Sequence, residues 1–387
     1  MSSISKTVWV LSIISLCTDA ASEMLYPVMP VYLKSIGFSI LFIGLLEGIA
    51  EATAGLSKSY FGKLSDVSGK RVPFVQLGYT LSAISKPMLA FFINPIWVFF
   101  SRTTDRLGKG IRSGARDAIL SDEATPETKA SIFGFHRSMD TIGAVIGPAF
   151  ALLYLYFNPT HYKSLFLIAF IPGVLAIIAT LFLKQKTIQS QQTKPKVSFF
   201  SFLSYWKKSD IRYRKLLIGL LTFAVFNSSD VFLLLKAKES GINDTYIIGL
   251  YIFYNLIYAL FAWPAGIIAD KLGMKKVFML GLFLFSLVYF GMSITDKVSL
   301  FVLLFLLYGI YAATTEGIAK AWISNIVDKK ETATAIGTYS GLQSICSLLA
   351  SSFAGIIWFE FGAATTLICT GTVSLVVLIY FLLLKQQ

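Results

Sequence analysis

The chain has 387 residues, of which 55% are hydrophobic and only 14% are charged. Soluble domains carry about 25% charged residues, and a mean hydropathy of +0.69 excludes that class. The sequence therefore predicts an all-α integral membrane protein, whose net charge of +13 reflects membrane topology rather than a nucleic-acid-binding surface.

Apolar segments of roughly 20 residues, the length that crosses a bilayer as a helix, recur along the chain. Lysine and arginine are concentrated in the joints at 58–71, 184–215 and 271–276, which by the positive-inside rule predicts that both termini are cytoplasmic. We expect a multi-pass protein of a bacterial inner membrane. The twelve predicted spans lie near 8–30, 39–61, 72–92, 96–120, 131–157, 163–183, 215–236, 244–268, 277–294, 298–326, 333–358 and 362–384.

A repeat divides the chain into two halves. The segment GKLSDVSGKR (62–71) follows the second span, and GIIADKLGMKK (266–276) follows the eighth, an offset of 204 residues (266 minus 62). The same offset pairs Gly37 with Gly241, Gly62 with Gly266, Asp66 with Asp270 and Gly69 with Gly273. We predict two parallel six-helix halves, 1–183 and 215–387, joined by a polar cytoplasmic linker at 184–214.

Three motifs carry a resemblance to a known family. The pattern Gly-x-x-x-Asp-x-x-Gly-Lys-Arg at 62–71 resembles the loop motif of the major facilitator superfamily. Arg106-x-x-Lys109-Gly110 is similar to the Arg-x-x-Gln-Gly pattern of its drug and proton antiporters, and GFHRSMDTIGAVIGP (134–148) resembles their fifth-helix motif. The resemblance implies twelve helices in two six-helix repeats, with the first, fourth, seventh and tenth helices around a central cavity.

The loop and fifth-helix motifs predict a gate and a packing seam. An aspartate at a helix end can accept backbone N–H bonds and pair with cations, although such residues can also serve only to end helices. The predicted gating residues are Gly62, Asp66, Gly69, Lys70, Arg71, Asp270, Arg116 and Asp117. Small residues four apart let helices approach closely, and the predicted packing residues are Gly134, Gly143, Gly147 and Pro148.

Two features predict a solute cavity: a charged stripe along one side of span 4, and aromatic faces on helices of the second half. The stripe consists of Arg102, Asp105, Arg106, Lys109, Arg112, Ser113 and Arg116. Charge inside a bilayer is costly unless it faces protein or water, so the stripe is expected to face inward. The alternatives are an ion-pair network that locks the first half, and tyrosines that only pack. The predicted cavity residues are Arg102, Asp105, Arg106, Lys109, Arg112, Asp230, Tyr251, Tyr254, Asn255, Tyr258, Tyr308, Tyr311 and Glu316.

Acidic residues inside the first two spans are candidate proton carriers. A neighbouring cation favours the charged carboxylate and burial favours the neutral acid, so a conformational change can switch such a group between the two. The candidates are Asp19, Glu23, Glu47 and Glu51. We favour Asp19 and Glu23, because Asp19 is expected at the depth of Lys109 and Arg106.

Other chemistry is not indicated. The chain lacks a Gly-x-x-x-x-Gly-Lys-Ser/Thr pattern and has two histidines, so we predict no enzyme activity, no cofactor and no metal site. A transporter-like receptor would keep the fold without needing so many buried charges. The favoured function is proton-coupled antiport that exports a small, charged or amphipathic organic solute through a monomer. The alternative is proton-coupled symport, the uptake of an anionic or zwitterionic solute such as a metal chelate.

Overall fold

The computed structural model describes residues 4–26, 28–29, 32–33, 36–38, 40–185 and 201–384, and these ranges contain helices and no strand. Most of the predicted linker, 186–200, lies outside them, as do the side chains of Glu47 and Glu51. The helices are α1 (Lys6–Leu25), α2 (Ile40–Ser68), α3 (Val72–Phe91), α4 (Pro95–Asp122), α5 (Lys129–Phe157), α6 (Tyr162–Thr180), α7 (Ser201–Lys208), α8 (Ile211–Ala224), α9 (Val231–Glu239), α10 (Asp244–Leu272), α11 (Met274–Ile294), α12 (Val298–Ile326) and α13 (Thr332–Leu383).

Several helices begin at side chains that accept a hydrogen bond from the first turn. The Ser5 hydroxyl accepts from the Val8 N–H at 3.3 Å at the start of α1. The Asn94 side chain accepts from the Ile96 N–H at 2.9 Å, and Pro95 follows as the first residue of α4. Both arrangements satisfy backbone donors that have no partner inside the helix, so these boundaries follow from local sequence.

Seven helical stretches in the described part of the chain are long and apolar enough to cross a membrane. The last of them, Lys329–Leu383, contains two predicted spans, because Gly362 adopts φ 84° and turns α13 into two arms. Helices α3 and α4 do not meet the same measure of length and hydropathy. Span 4 fails it because its stripe of charged residues lowers the hydropathy of α4.

The predicted seventh span, 215–236, is two helices rather than one. Helix α8 ends at Ala224 and α9 begins at Val231, with turns and irregular backbone between them. The sequence FNSSD at 226–230 lies at this break, and its serines and asparagine compete with the helix for backbone hydrogen bonds.

Contacts divide the chain into two compact units. In the first, α4 packs against α2 and α3, and α6 packs against α1 and α3; in the second, α12 packs against α10 and α11. The start of α5 belongs to the second unit and the start of α13 to the first, while the predicted domain boundaries stay a prediction. The units are Met1–Thr125, Met139–Lys208 and Val327–Gly341, and Pro126–Ser138, Ser209–Ile326 and Leu342–Gln387.

Outward-facing apolar side chains mark the lipid-facing surface. On α6 the exposed residues Leu167, Ile171, Leu175 and Ile178 recur at intervals of three and four, so they share one face of the helix. An exposed apolar face of this kind would be unfavourable in water and is favourable against lipid chains.

Candidate functional site

Two aspartates meet inside the first unit. The carboxyl groups of Asp19 on α1 and Asp140 on α5 lie within hydrogen-bonding reach of each other. Asp140 is 6% exposed, and the neighbouring Thr18 and Thr141 are also buried. An ionised carboxylate can only accept hydrogen bonds, so two carboxyl groups this close can bond to each other only when one of them carries a proton.

The aspartate pair is linked to α4 through Ser15. The Ser15 hydroxyl donates to Asp140 Oδ1, and Arg116 Nη1 donates to Ser15 Oγ at 3.3 Å. Arg116 also pairs with Asp117, with Nη2 and Oδ1 2.8 Å apart. Arg116 and Asp117, which the sequence assigned to the gate, therefore lie in the same chain of polar contacts as Asp19.

The electrostatic neighbours of Asp19 come from three helices. Asp140 and Glu23 are its acidic neighbours, and Lys109 on α4 is the basic one. Glu23 thus lies within electrostatic reach of Asp19, as their spacing of four residues on one helix predicts.

The charged stripe of α4 faces two neighbouring helices, α1 and α3. Lys109 lies near Asp19 on α1. Asp105 faces α3 instead, where its Oδ1 accepts from Lys86 Nζ at 2.7 Å and both side chains are buried. Arg102 and Arg106 are charged neighbours of the same Asp105 carboxylate.

Arg112, about two turns beyond Asp105, also contacts α3. Its Nη1 donates to Ser82 Oγ, and its guanidinium lies over the Tyr79 ring, 4.5 Å from the centroid. The sequence assigned Arg112 and Asp105 to a solute cavity. The structure places both in the packed contact between α3 and α4, where Asp105 pairs with Lys86, a residue outside the predicted cavity set.

The second unit contains a polar cavity of about 330 Å³. It brings together seven of the eight cavity residues predicted from the second half. Tyr251 is not part of its lining, although its ring contacts Tyr254 at 5.4 Å. The lining residues are Arg137, Asn227, Ser228, Ser229, Asp230, Tyr254, Asn255, Tyr258, Tyr308, Tyr311, Ala312, Glu316, Gln343, Ser347 and Ser351.

Two carboxylates in this cavity have different kinds of partner. Glu316 Oε2 pairs with Arg137 Nη2 at 2.8 Å, and the Arg137 Nε donates to the Tyr258 hydroxyl. Asp230 accepts from the Tyr254 hydroxyl and from Ser229 Oγ, the latter at 3.3 Å. The Glu316 carboxylate is therefore neutralised by a cation, whereas Asp230 accepts hydrogen bonds from two neutral hydroxyl groups.

The two loop aspartates make equivalent contacts in the two repeats. Asp66 Oδ2 accepts from the Thr334 N–H at 2.7 Å and from its hydroxyl at 2.8 Å. Asp270 accepts from the N–H groups of Ala130 and Ser131, both at 2.8 Å. Adding the offset of 204 converts 66 into 270 and 130 into 334, so each aspartate binds the first turn of a long helix from the other half of the sequence.

Arg71 connects the first of these contacts to neighbouring groups. Its Nη2 pairs with Asp66 Oδ1 at 3.2 Å and donates to the Lys329 carbonyl at 2.8 Å, and its Nη1 pairs with Asp122. Asp66 lies beyond the end of the predicted span 39–61, and burial raises its pKa to about 6 against the opposing effects of Arg71 and Thr334.

The other gating residues differ in their exposure and conformation. Gly69 and Gly273, paired by the repeat, both have positive φ, 66° and 97°, which a residue with a Cβ adopts only with strain. Lys70 is exposed. Gly62 leaves room for the backbone of Ala333, where a Cβ would collide.

The glycines of the fifth-helix motif permit close helix contacts. A Cβ on Gly143 or Gly147 would meet the carbonyl oxygens of Leu16 and Ala20 on α1. In the second unit, a Cβ on Gly134 would meet the backbone of α10, and Pro148 lies within α5.

Gly143→Ala is expected to destabilise the protein by about 1–3 kcal/mol, because the added methyl group meets the backbone of α1 rather than a flexible side chain. Thermal unfolding of the purified protein in detergent measures the change. Gly249→Ala is the matched control, since a Cβ there meets nothing within 4 Å. An equal loss of thermal stability in both variants would contradict the packing role of Gly143.

Comparisons with known proteins agree with this architecture. The sequence profile of the Major Facilitator Superfamily matches residues 11–254 and 231–387. The chain is 34% identical over 364 residues to an uncharacterised MFS-type transporter of Methanocaldococcus jannaschii, which covers 92% of this chain and 89% of that protein.

Two solved structures share the fold. The human organic anion transporter MFSD10 superposes with a TM-score of 0.83 at 16% identity, covering 97% of this chain and 98% of that one. The Escherichia coli fucose:proton symporter FucP gives a TM-score of 0.78 at 13% identity, with 98% of both chains covered. At these identities the likeness concerns the fold.

Proposed function

The chain belongs to the Major Facilitator Superfamily, and we propose that it is a secondary active transporter that exchanges protons for a small organic solute by alternating access. The close approach of the Asp19 and Asp140 carboxyl groups is the observation that supports the proton as the coupling ion. In this proposal both termini and the linker are cytoplasmic, the membrane is a bacterial inner membrane, and the monomer is the transporting unit.

The carboxyl pair is suited to carry one proton. Two carboxylates in contact repel each other when both are ionised, so a closed pair retains a proton that a separated, hydrated pair releases. Lys109 and Arg116 approach the pair from α4, Glu23 from α1, and each biases this balance. A movement of α1 relative to α5 therefore changes the proton affinity of the site, as proton coupling requires.

The direction of transport separates two forms of the proposal. In antiport, the proton and the solute occupy the protein alternately, and an inward proton gradient drives the solute out. In symport they move together, and the same gradient drives the solute in. We favour antiport because the motifs of α4 and α5 are similar to those of drug and proton antiporters.

The experiment is transport by the purified full-length chain in liposomes with an imposed pH gradient, assayed with a panel of charged and polar organic solutes. Antiport predicts that solute moves against the proton flow, and symport predicts movement with it. Binding without gradient-driven movement would favour a transporter-like receptor and overturn the proposal.

The contacts of Asp66 and Asp270 form the gate in this proposal. Each aspartate binds N–H groups at the positive end of a long helix, and each contact joins segments from the two sequence halves. Opening would separate Asp66 from Thr334 and expose its carboxylate to water, so the gate has a pH dependence of its own.

Lowering the pH is expected to close the Asp66 contact. The pKa is about 6 in the contact and returns toward 3.8 when water reaches the carboxylate, so protonation favours the closed form. The closed form gains up to about 3 kcal/mol as the pH falls from 6 toward 4, and loses this as the pH rises through 6. Spin labels at the exposed positions 70 and 330 should show a short-distance population that grows between pH 7 and pH 5.

Asp66→Asn is expected to remove this pH dependence, because an amide resembles the protonated acid at every pH. We expect slow transport, with a melting temperature close to that of the wild type. Asp270→Asn is the matched control and should leave the pH dependence of the labelled contact intact. A short-distance population that grows as the pH rises would contradict the assignment, and loss of folding in Asp66→Asn would make the motif structural.

A further inference from the structure

The cavity in the second unit has a charge and a lining that select a particular solute class. We propose that it binds a hydrophilic organic cation, a protonated amine or guanidine bearing several hydroxyl or amide groups, with Asp230 as its counter-ion. This inference rests on the proposed function, because it names the solute that the transporter would carry.

The first support is the position of Asp230 at the broken seventh span. Irregular backbone inside a membrane protein is tolerated where it lines a water-filled cavity, and transporters use such discontinuous helices at their binding sites. Ser228, Ser229 and Asp230 lie between α8 and α9, and all three line the cavity. The break therefore presents the side chains of Ser228, Ser229 and Asp230 to a solute.

The second support is the charge of the lining, which consists of two carboxylates and one guanidinium. The guanidinium of Arg137 is already paired with Glu316. Asp230 is held by the hydroxyl groups of Tyr254 and Ser229, and in the described part of the chain no cation lies within ion-pair distance of it. A cationic solute would complete this site, whereas an anionic solute would meet an uncompensated carboxylate.

The third support is the arrangement of tyrosines around Asp230. The ring centroids of Tyr254 and Tyr308 are 5.3 Å apart, and Tyr308 lies 5.3 Å from Tyr311. Ring faces attract an organic cation, and phenol hydroxyls bond its polar substituents. The Tyr311 hydroxyl already accepts from Asn227 Nδ2 at 3.0 Å, which fixes one wall of the cavity.

The polarity of the lining excludes a lipophilic cation. Fourteen of the fifteen lining residues carry a polar side-chain group, and Ala312 is the exception. An apolar solute would take water away from these groups without replacing its hydrogen bonds, which costs free energy at each group. A polyhydroxylated amine restores those bonds and fits a cavity of about 330 Å³.

The test measures binding by the purified full-length protein without any gradient. The probes are hydroxylated primary amines such as glucosamine, their neutral N-acetyl derivatives, sugar acids such as glucuronate, and tetraphenylphosphonium as a lipophilic cation. We expect saturable thermal stabilisation by amines of the first group, and apparent affinities at least about 30-fold weaker for the N-acetyl derivatives, which lose one partner of the charge pair.

Asp230→Asn is expected to weaken amine binding by at least about 30-fold, and Asp230→Glu to retain part of it. Asp296→Asn is the matched control, since Asp296 is exposed and pairs with Lys236. The melting temperature without probe shows that each variant is folded. Preferential stabilisation by sugar acids or tetraphenylphosphonium, the absence of amine binding, or unchanged amine affinity in Asp230→Asn would overturn the proposal.

The two proposals fail separately in these assays. If amines bind through Asp230 but a pH gradient does not move them, the result supports the cation site and contradicts the proton-coupled function. If a pH gradient drives transport of another solute class and amines do not bind, the result supports the transport function and contradicts the cation site.

Discussion

Asp140→Asn is expected to abolish pH-driven transport while leaving solute counterflow measurable. The amide cannot release a proton, so Asp19 and the residue at 140 no longer form a pair that gains and loses one. Counterflow at equal pH on both sides needs solute binding and alternation without net proton movement, and it should survive. Both are measured in liposomes with the same labelled solute.

The variants of α1 and α2 distinguish this pair from the other predicted carriers. Asp19→Asn should reproduce Asp140→Asn, since either amide breaks the pair. Glu47→Gln and Glu51→Gln are the controls, and we expect both to keep gradient-driven transport. If Asp19→Asn and Asp140→Asn keep gradient-driven transport and Glu47→Gln or Glu51→Gln loses it, the proton site lies on α2 instead.

The repeat allowed the sequence to predict which aspartates make the loop contacts, but not which residues donate to them. The offset of 204 residues pairs Asp66 with Asp270 from the sequence alone, and both carboxylates accept N–H bonds at helix ends. The identity of the donors, at Thr334 and Ala130, depends on which helix ends lie beside each loop. Local patterns carry no information about that pairing.

Helical periodicity predicted which residues of α4 share a face, but not which helices that face would meet. The stripe is wide enough to contact two neighbours, so Lys109 lies near α1 whereas Asp105 and Arg112 contact α3. The pair of Lys86 and Asp105 could have been predicted by comparing the depths of charged residues on α3 and α4. Counting from the short joint at Asn94, Lys86 on α3 and Asp105 on α4 lie at similar depths of an antiparallel pair.

The cavity of the second unit was predicted in part because tyrosines at helical spacing on α10 and α12 mark one face of each helix. The break in the seventh span was missed, since 215–236 is apolar enough overall to be taken as one helix. Its signal was the cluster of small polar residues at 227–229, which favours turns over helix. Arg137 and Gln343 were missed because their contribution depends on tertiary packing.

Asp105→Asn is expected to cause the largest loss of stability, about 3–5 kcal/mol, because it removes the acidic partner from a buried cluster of cations. Lys86 would keep its charge without a carboxylate, and Arg102 and Arg106 would lose the same neighbour. Thermal unfolding in detergent, with the expressed yield of folded protein, measures this effect.

Lys86→Met is expected to cost less than Asp105→Asn, because Asp105 retains the arginines as charged neighbours. The double variant Lys86→Met with Asp105→Asn should recover part of the stability lost in Asp105→Asn, since the uncompensated lysine is replaced by an apolar chain of similar length. The pair of Lys236 and Asp296, whose carboxylate is largely exposed, is the control, and its removal should cost about 1 kcal/mol or less. A double variant no more stable than Asp105→Asn would show that lost packing, rather than an unpaired buried charge, is what destabilises α4 against α3.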